Sequence, residues 1–437
     1  MLKIRPVRTI RGLASLFYEV PMNKNLDFAR KLDVWIWSNK PQVKEATNFI
    51  FSKMQKNNYS GYTDKNIKKH LRVILTDLFV AHKENPHLYI SFSRDSKAYR
   101  SSKLFAKIFL NYRYVILVTD YLNENGYIEL HKGINYARFQ RHSRMKATEK
   151  LVRLFRKYKN SSGVTVRRNP PIFLRDSAKR NIDYVLDTIE IKTLIKNTNR
   201  INKYLSQHAI TFNPPIDFSE DYSQAYSLTS DNTKYFRVFN NSSFEQGGRF
   251  YGHWSQMINS DWRKYIQIDG QPTVELDYSC LHLTMLYGLE GLTPPDGDLY
   301  KIDGVSPAYR KYIKKAVNIA INAESEGAAT KAIRQEYDSF INNVGLIPDS
   351  PKIILNAIRW NHTPIDKYFC TGYGVYLQYI DSSLAEKIML RLHNKDICCL
   401  CIHDSFIVAE EYKTILYEYM EDIFYDKFGF YPKVSCR

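Results

Sequence analysis

Long apolar runs are what this sequence most clearly lacks. Nowhere do about 18 apolar residues follow one another, which is the length that a membrane-spanning helix needs. The first 21 residues carry charges and no apolar segment typical of a signal peptide. The sequence therefore predicts a soluble protein of the cytoplasm.

Cysteine is scarce as well. The chain has six, and Cys398, Cys399 and Cys401 crowd into one apolar run. This spacing is unlike the framework of a secreted disulfide-rich domain. Alternating residues of one strand cannot all converge on one zinc ion, so we expect reduced thiols in a core. A fixed-period repeat is also lacking, which excludes a solenoid.

Acidic residues are outnumbered. The 437 residues include 45 Asp and Glu against 63 Lys and Arg, giving a formal charge of +18. Such an excess predicts a polyanionic partner, nucleic acid first. The length predicts two or three folded units, and a hydrophobic fraction of 44% is ample for real cores.

Three regions can be distinguished: residues 1–158, 159–232 and 233–437. In the first region, apolar residues recur at helical spacing over 73–82 and 104–122. A strand–turn–strand pattern then begins at Tyr127, and residues 144–158 predict a basic amphipathic helix. This order resembles a winged-helix DNA-binding module. The second region reads as a connector with a helix from about Tyr184 to Leu205, whose role the sequence does not disclose.

Basic residues of the first region are interleaved with Tyr136 and Phe139, a pattern that suits phosphates and unstacked bases. The alternative is a solvated helix face. The candidates for nucleic-acid contact are Arg138, Arg141, Arg144, Lys146, Lys150, Arg153, Arg156 and Lys157.

The third region carries two aspartates at the ends of predicted strands. Asp277 follows Val274 and Leu276, which predict a buried strand, and a helix is expected directly after it. Asp404 interrupts an apolar run at His403-Asp404-Ser405, which predicts a tight turn between antiparallel strands. Two carboxylates on adjacent strands can bind a pair of Mg²⁺ ions. The alternatives are a helix cap for Asp277 and a plain turn residue for Asp404.

These segments resemble the family-A DNA polymerases. DYSCLH from Asp277 is similar to motif A, YRKYIKKAVNIAINA from Tyr309 to motif B, and IHDSF around Asp404 to motif C. The Gly-Arg pair at Arg249 and the helix containing Gln378 also match in order. The resemblance covers roughly Tyr235 to the end of the chain, and it implies an α+β right hand, with a small antiparallel palm sheet and helical fingers around residues 309–326.

The resemblance also implies roles for single residues. Asp277, Asp404 and Tyr278 would hold two Mg²⁺ ions, with Mn²⁺ as an alternative. Arg249 would contact primer and triphosphate or, alternatively, form a structural salt bridge. Gln378 would contact the duplex or, alternatively, be a plain polar residue of a helix. His403 would contact the primer end or, alternatively, be a hydrogen-bonded turn residue. Nucleotide binding would involve Lys315, with Lys314 as the alternative because the two point about a hundred degrees apart on a helix, together with Lys311, Ile319 and His282.

The sequence departs from the family pattern at the sugar and in motif C. His282 stands where the DNA polymerases carry a glutamate that excludes the 2′-hydroxyl. Ser405 stands where they carry a glutamate and single-subunit RNA polymerases a serine, and Ile319 and Ala323 replace expected aromatic residues. The departures predict weak sugar discrimination. No motif resembles a proofreading exonuclease.

The expected function is template-directed DNA synthesis on a primer-template from nucleoside triphosphates. The resemblance implies replication or priming on a mobile genetic element, such as a staphylococcal cassette, with a small accessory protein as partner. Two alternatives stay open: a primase or single-subunit RNA polymerase that uses ribonucleotides, and a DNA-binding replication initiator whose palm is a degenerate scaffold.

Overall fold

The structure is a computed structural model, and it describes residues 26, 29–54, 60–99, 110–136, 139–156, 166–167, 170–214, 233–303, 305–344 and 350–437. Residues 1–25, Arg138 and Lys157 of the sequence-based expectations lie outside this described part. None of the helices in it is both long and apolar enough to cross a membrane.

The N-terminal elements surround a mixed four-stranded sheet. Its strands are β1 (Arg30–Lys31), β3 (Ile90–Phe92), β4 (Ile128–His131) and β7 (Ser143–Ala147), in the order β1-β3-β7-β4. The helices that accompany it are α1 (Pro41–Lys53), α2 (Asp64–Glu84), α3 (Tyr112–Glu124) and α4 (Glu149–Phe155). Short β2 (Ile36–Trp37) pairs with β8 (Val166–Arg167), and β5 (Ile134–Tyr136) pairs with β6 (Phe139–Arg141).

One predicted helix of this region is half strand. Residues 144–158 were expected to be helical throughout, yet Ser143–Ala147 is β7 and the helix covers only Glu149–Phe155. The reason is local alternation: Ser143, Met145 and Ala147 are buried while the residues between them are less so. Pairing with both β3 and β4 then satisfies the backbone of this stretch.

The middle of the chain shares its elements with the C-terminal part. Strands β9 (Ile172–Arg175) and β10 (Asn181–Ile182) form one sheet with β12 (Phe236–Phe239) and β13 (Gly247–Tyr251), in the order β10-β9-β12-β13. The expected helix is α5 (Ile189–Leu205), and β11 (Ile210–Phe212) joins a second sheet. The connector is thereby built into the packing of the last region, a role that the sequence had left open.

That second sheet has six antiparallel strands. They are β11, β14 (Ile266–Ile268), β15 (Gln271–Tyr278), β17 (Ser405–Ala409) and β16 (Leu400–Ile402) in order, with β18 (Val434–Cys436) also paired to β15. The helices of this part are α6 (Leu281–Leu289), α7 (Arg310–Asn322), α8 (Glu326–Val344), α9 (Pro351–Asn361), α10 (Gly374–His393) and α11 (Lys413–Phe428). Short 3₁₀ turns cover Ser96–Tyr99, Trp254–Met257, Ser260–Tyr265, Pro307–Tyr309, Thr363–Tyr368 and Glu410–Tyr412.

Two large hydrophobic cores hold these elements. One fills the N-terminal unit, and the other joins the six-stranded sheet to α5 and the C-terminal helices. Cys398, Cys399 and Cys401 are buried in the second core as free thiols. The fold is thus a mixture of helices and largely antiparallel sheets, in agreement with the α+β class expected from the sequence.

Candidate active site

The two predicted strand-end aspartates come together on the six-stranded sheet. Asp277 is the penultimate residue of β15 and lies opposite Ser405 of β17 in the strand register. Asp404 precedes Ser405 in the two-residue turn between β16 and β17. The turn requires a left-handed backbone at His403, whose φ is +60°, and the amide of Tyr278 donates to the carbonyl of Asp404 at 3.3 Å. Adjacent strands therefore present both carboxylates at one place.

Asp277 is buried, with its side chain 12% exposed, and its carboxylate has an unusual environment. Its Oδ1 atom is buried without a hydrogen-bond partner, while Oδ2 accepts a hydrogen bond from Arg437 at 2.5 Å. Burial, followed by repulsion from Asp404, raises the pKa of Asp277 to about 6, although Arg437 opposes that shift. A buried acceptor with an open lone pair beside a second carboxylate suits a cation.

The side chain of Tyr278 lies in the core, and the expected role of this residue as a metal ligand stays a prediction. Its hydroxyl donates to the carbonyl of Met420 at 2.6 Å, and its ring packs against Phe406 and Phe424 in the core. The residue is 3% exposed, and its side chain points to the opposite face of β15 from that of Asp277. Only its backbone, which bonds to Asp404, belongs to the site.

Arg249 of β13 reaches the same area through a buried ion pair. Its Nε donates to the carboxylate of Asp381 on α10 at 2.9 Å, and the Asp381 side chain is 1% exposed. Burial alone would lower the pKa of Arg249, but Asp381 and then Asp404 raise it above its ordinary value. The guanidinium is thus close enough to Asp404 for an electrostatic interaction between the two groups. The structural salt bridge of Arg249 is therefore confirmed, and its contact with primer and triphosphate stays a prediction.

The position of β13 follows from close packing against α10. Gly248 has a φ of +79°, and a Cβ there would lie 2.6 Å from the Phe239 ring of β12 and 3.0 Å from Oγ of Ser382 on α10, so only glycine fits. Its carbonyl accepts from Arg237, a fully buried residue that is also paired with Glu386 of α10. This network fixes the strand that carries Arg249.

His282 lies beside Arg249. Its Nε2 is 3.2 Å from Nη2 of Arg249 and 3.4 Å from Oδ2 of Asp381. The residue stands in the first turn of α6, which begins directly after Cys280, whose backbone is left-handed with a φ of +54°. Arg249, His282 and Asp381 therefore form one polar cluster next to the carboxylate pair.

His403 and Gln378 border this cluster. The ring of His403 meets that of Tyr251 at 5.8 Å, and burial, with help from Arg249, lowers its pKa. Its Nδ1 is buried without a hydrogen-bond partner. Gln378 is half-buried on α10, three residues before Asp381 and hence on the same side of that helix.

The lysines of α7 point in different directions. Lys315 forms an ion pair with Glu336 of α8 at 2.5 Å and is 54% exposed, and Lys311 is exposed. The ammonium of Lys314 instead lies 5.8 Å from the centre of the Tyr300 ring. It is also near Cys280, whose pKa is raised by burial and then by Asp298, while Arg310 and Lys314 oppose that shift. Lys314 is therefore the lysine nearer to the start of α6. Ile319 is partly buried against the core.

Glu275 was missed by the sequence reasoning. It lies two residues before Asp277, so both side chains are on one face of β15. Its Oε1 accepts from Ser405 at 2.6 Å and from Arg263 at 2.7 Å. Ser405 is thereby bonded to a carboxylate on the neighbouring strand. The alternation in VELDY could have revealed this residue.

Asp381 and Arg437 were missed as well. Asp381 stands among Leu377, Ile380 and Leu384, so it is a charge in the apolar stripe of α10, a signal that the sequence did contain. Arg437 carries no such signal, because only the pairing of β18 with β15 brings it to Asp277.

The predicted nucleic-acid residues of the N-terminal unit mostly have partners within the protein. Arg144 donates to the carbonyl of Leu26 at 3.0 Å, and Lys146 is 3.2 Å from Glu129. The ammonium of Lys150 donates to the carbonyl of Asn125 at 2.8 Å. Arg153 and Arg156 both lie near Glu149 and are well exposed, and Arg141 is half-buried.

Comparison with models of known protein families gives no match, and a search among curated proteins finds no relative of this chain.

Proposed function

We propose that this protein is a template-directed nucleotidyl transferase of the family-A DNA polymerase kind. The observation that carries the proposal is the meeting of Asp277 and Asp404 on neighbouring antiparallel strands. In this proposal the six-stranded sheet is the palm, α7 and its neighbours are the fingers, and the reaction is attack of a primer 3′-hydroxyl on the α-phosphate of a nucleoside triphosphate, with release of pyrophosphate.

The carboxylate pair fits divalent cations. Asp277 has a buried oxygen without a hydrogen-bond partner, and burial, followed by repulsion from Asp404, raises its pKa. Oxygen ligands of this kind are those that Mg²⁺ prefers. Magnesium, or manganese, would when bound supply an activated 3′-hydroxyl and offset charge on the phosphates. Asp277 and Asp404 are the residues that would hold it.

Arg249 and Lys314 are the cations best placed for the triphosphate and primer end. Asp381 orients Arg249 by a hydrogen bond, and Asp404 interacts with it electrostatically. Lys314 lies on the side of α7 that faces Tyr300 and Cys280, whereas Lys315 is engaged with Glu336. Cations fixed before the reaction stabilise charge that develops on the phosphates without a cost of reorganisation.

A second candidate, a polymerase or primase that uses ribonucleotides, is favoured by His282. This side chain can donate as well as accept hydrogen bonds, and Arg249 and Asp381 hold it beside the carboxylates. A histidine there can tolerate a ribose hydroxyl. The same enzyme would then accept both kinds of nucleotide.

The N-terminal unit supports a DNA-binding role through its topology. Helix α2, strand β3, helix α3 and the β4–β7 hairpin follow in order, with β7 between β3 and β4 in the sheet. This order resembles that of a winged helix, in which α3 would be the recognition helix and the paired strands β5 and β6 would belong to the wing. Replication or priming on a mobile element, and a small accessory protein, rest on the sequence resemblance alone.

A primer-extension assay tests the proposal. The full-length protein is given a primed and an unprimed DNA template, with deoxy- or ribonucleoside triphosphates and Mg²⁺, and products are resolved by length. We expect extension of the primer by templated nucleotides, and none by Asp404→Ala. Absence of any product with either sugar, primed or unprimed, in a protein that binds the template would overturn the proposal.

A further inference from the structure

A groove between α1 and α2 in the N-terminal unit is strongly basic. It encloses about 720 Å³ and is lined by Lys44 of α1 and by Lys65, Lys68, Lys69 and Arg72 of α2. No carboxylate is among its lining residues, all of which belong to the described part of the chain. Glu45 and Asp64, which are the sequence neighbours of Lys44 and Lys65, are not among the lining residues.

The four cations of α2 form one stripe. Their spacing, i, i+3, i+4 and i+7, places them on one side of the helix, while Ile67, Leu71 and Ile74 form the buried side. Like charges at spacings of three and four residues repel one another on a helix surface. Lys44, across the groove, adds to this repulsion. An anion that binds in the groove would offset the repulsion.

The lining indicates a chain of phosphates as the ligand. Sites for drug-sized molecules are lined predominantly by apolar and aromatic side chains. In this groove the aromatic residue is Trp37, whose ring is already covered by Arg72 at 4.2 Å. Asn48 and Asn66 add amide groups, which contact phosphate oxygens in many complexes. The volume exceeds what one phosphate fills.

The groove continues toward the start of α3. The amide of Asn66 lies 3.4 Å from the hydroxyl of Tyr114 on α3, and the ring of His70 stacks on Tyr114 at 4.9 Å. Arg113 is 5.0 Å from the ring of Tyr62, next to the same helix end. A strand that touches the beginning of α3 can therefore pass directly into the groove.

We infer that this groove binds the phosphodiester backbone of a nucleic-acid strand. It is a contact distinct from the basic residues 138–157 that the sequence indicated, several of which are bonded to Glu129, Asn125 or Glu149. The inference concerns binding alone, and it stands whether or not the carboxylate pair catalyses nucleotidyl transfer.

The test measures DNA binding by the full-length protein as a function of salt. The groove variant is Lys44→Gln/Lys65→Gln/Lys69→Gln, which spares Lys68 because that ammonium lies over Phe51 at 4.6 Å. The matched control removes three exposed lysines from the C-terminal region, in Lys395→Gln/Lys413→Gln/Lys427→Gln. Fluorescence anisotropy with a labelled single strand, and with the duplex of the same sequence, is recorded in EDTA without nucleotides.

Each lost phosphate contact removes about 0.7 from the salt slope for single strands and about 0.9 for duplex. For the groove variant we expect the negative slope of log K against log salt to become shallower by about 2 to 3. We also expect Kd at about 0.1 M salt to rise at least tenfold. The control keeps the wild-type slope. A loss confined to the single strand or to the duplex identifies which form occupies the groove.

Equal slopes for the groove variant, the control and the wild type would overturn the inference. Folding is checked by circular dichroism and Tm. If the triple variant is unfolded, Lys44→Gln/Lys65→Gln replaces it, because both side chains are exposed. The charge-conserving Lys44→Arg/Lys65→Arg/Lys69→Arg should retain the wild-type slope, and a loss there would also contradict a phosphate site.

Discussion

Arg437 donates a hydrogen bond to Oδ2 of Asp277 at 2.5 Å, and its own amide donates to the carbonyl of Glu275 at 3.0 Å. The guanidinium thus provides positive charge to one side of a carboxylate whose other oxygen, Oδ1, has no hydrogen-bond partner. Because Asp404 is also near, the pair concentrates negative charge that one arginine does not neutralise. The excess is what a divalent cation would offset.

Removing either aspartate should abolish catalysis and spare DNA binding. Asp277→Ala and Asp404→Ala are each expected to lower nucleotide incorporation by on the order of a thousandfold, because charge stabilisation worth several kcal/mol is lost. Single-turnover extension and anisotropy measure the two effects. Asp296→Ala, at an exposed site, is the control. Near-normal extension by one of the mutants would remove that aspartate from the site.

The raised pKa of Asp277 predicts a pH-dependent stability. An acid whose pKa rises from 3.8 to about 6 on folding holds its proton more tightly in the folded state, so folding loses stability as pH rises through that window. In EDTA, the Tm of Asp277→Asn minus that of the wild type should therefore increase between about pH 4 and pH 7. Thermal unfolding monitored by circular dichroism checks this, with Asp296→Asn as a reference. A difference that stays constant with pH would show that Asp277 is not perturbed.

Asp381 should matter for stability far more than a surface carboxylate. Asp381→Ala leaves Arg249 buried without its partner, which costs about 3–5 kcal/mol of unfolding free energy. The matched change is Asp422→Ala, since the Arg391–Asp422 pair is 42% and 48% exposed, and such pairs contribute about 0–1 kcal/mol. Urea denaturation compares the two. Similar losses in both variants would argue against a structural ion pair at Arg249.

The two adjacent lysines of α7 should differ in effect. Lys314→Gln is expected to reduce kcat/KM for the incoming nucleotide by on the order of a hundredfold, because a cation facing the triphosphate is lost. Lys315→Gln should change it by less than about threefold, because an exposed ion pair with Glu336 contributes little. Steady-state incorporation on one primer-template decides between them, and the reverse order would return the role to Lys315.

His282 is expected to make sugar discrimination weak. A pocket that merely fails to reject a hydroxyl discriminates by about tenfold to two-hundredfold. His282→Glu should raise the preference for deoxynucleotides, although the new carboxylate would also compete with Asp381 for Arg249. The measurement is kcat/KM for matched deoxy- and ribonucleoside triphosphates. A wild-type ratio above about ten-thousandfold, or an unchanged ratio in the variant, would mean that another residue selects the sugar.

Local patterns predicted much of the fold. The apolar run before Asp277 became β15, and the polar interruption at His403 and Asp404 became the turn of a hairpin. These succeeded because a strand buried in a sheet leaves a continuous apolar signature. The same logic was wrong at 144–147, where four residues are too few to distinguish strand alternation from helical spacing.

The sequence by itself determined which residues carry charge, and it predicted a polyanionic partner and two aspartates at the boundaries of strands. Only the tertiary structure decided their surroundings. Strand register brought Asp277 opposite Ser405, and the packing of α10 on β13 brought Asp381 to Arg249. The packing of α1 against α2 placed Lys44 opposite the basic residues of α2, and these residues line one groove. The physical reason is that such contacts join residues far apart in the chain, and burial and Coulomb interactions depend on distance in space.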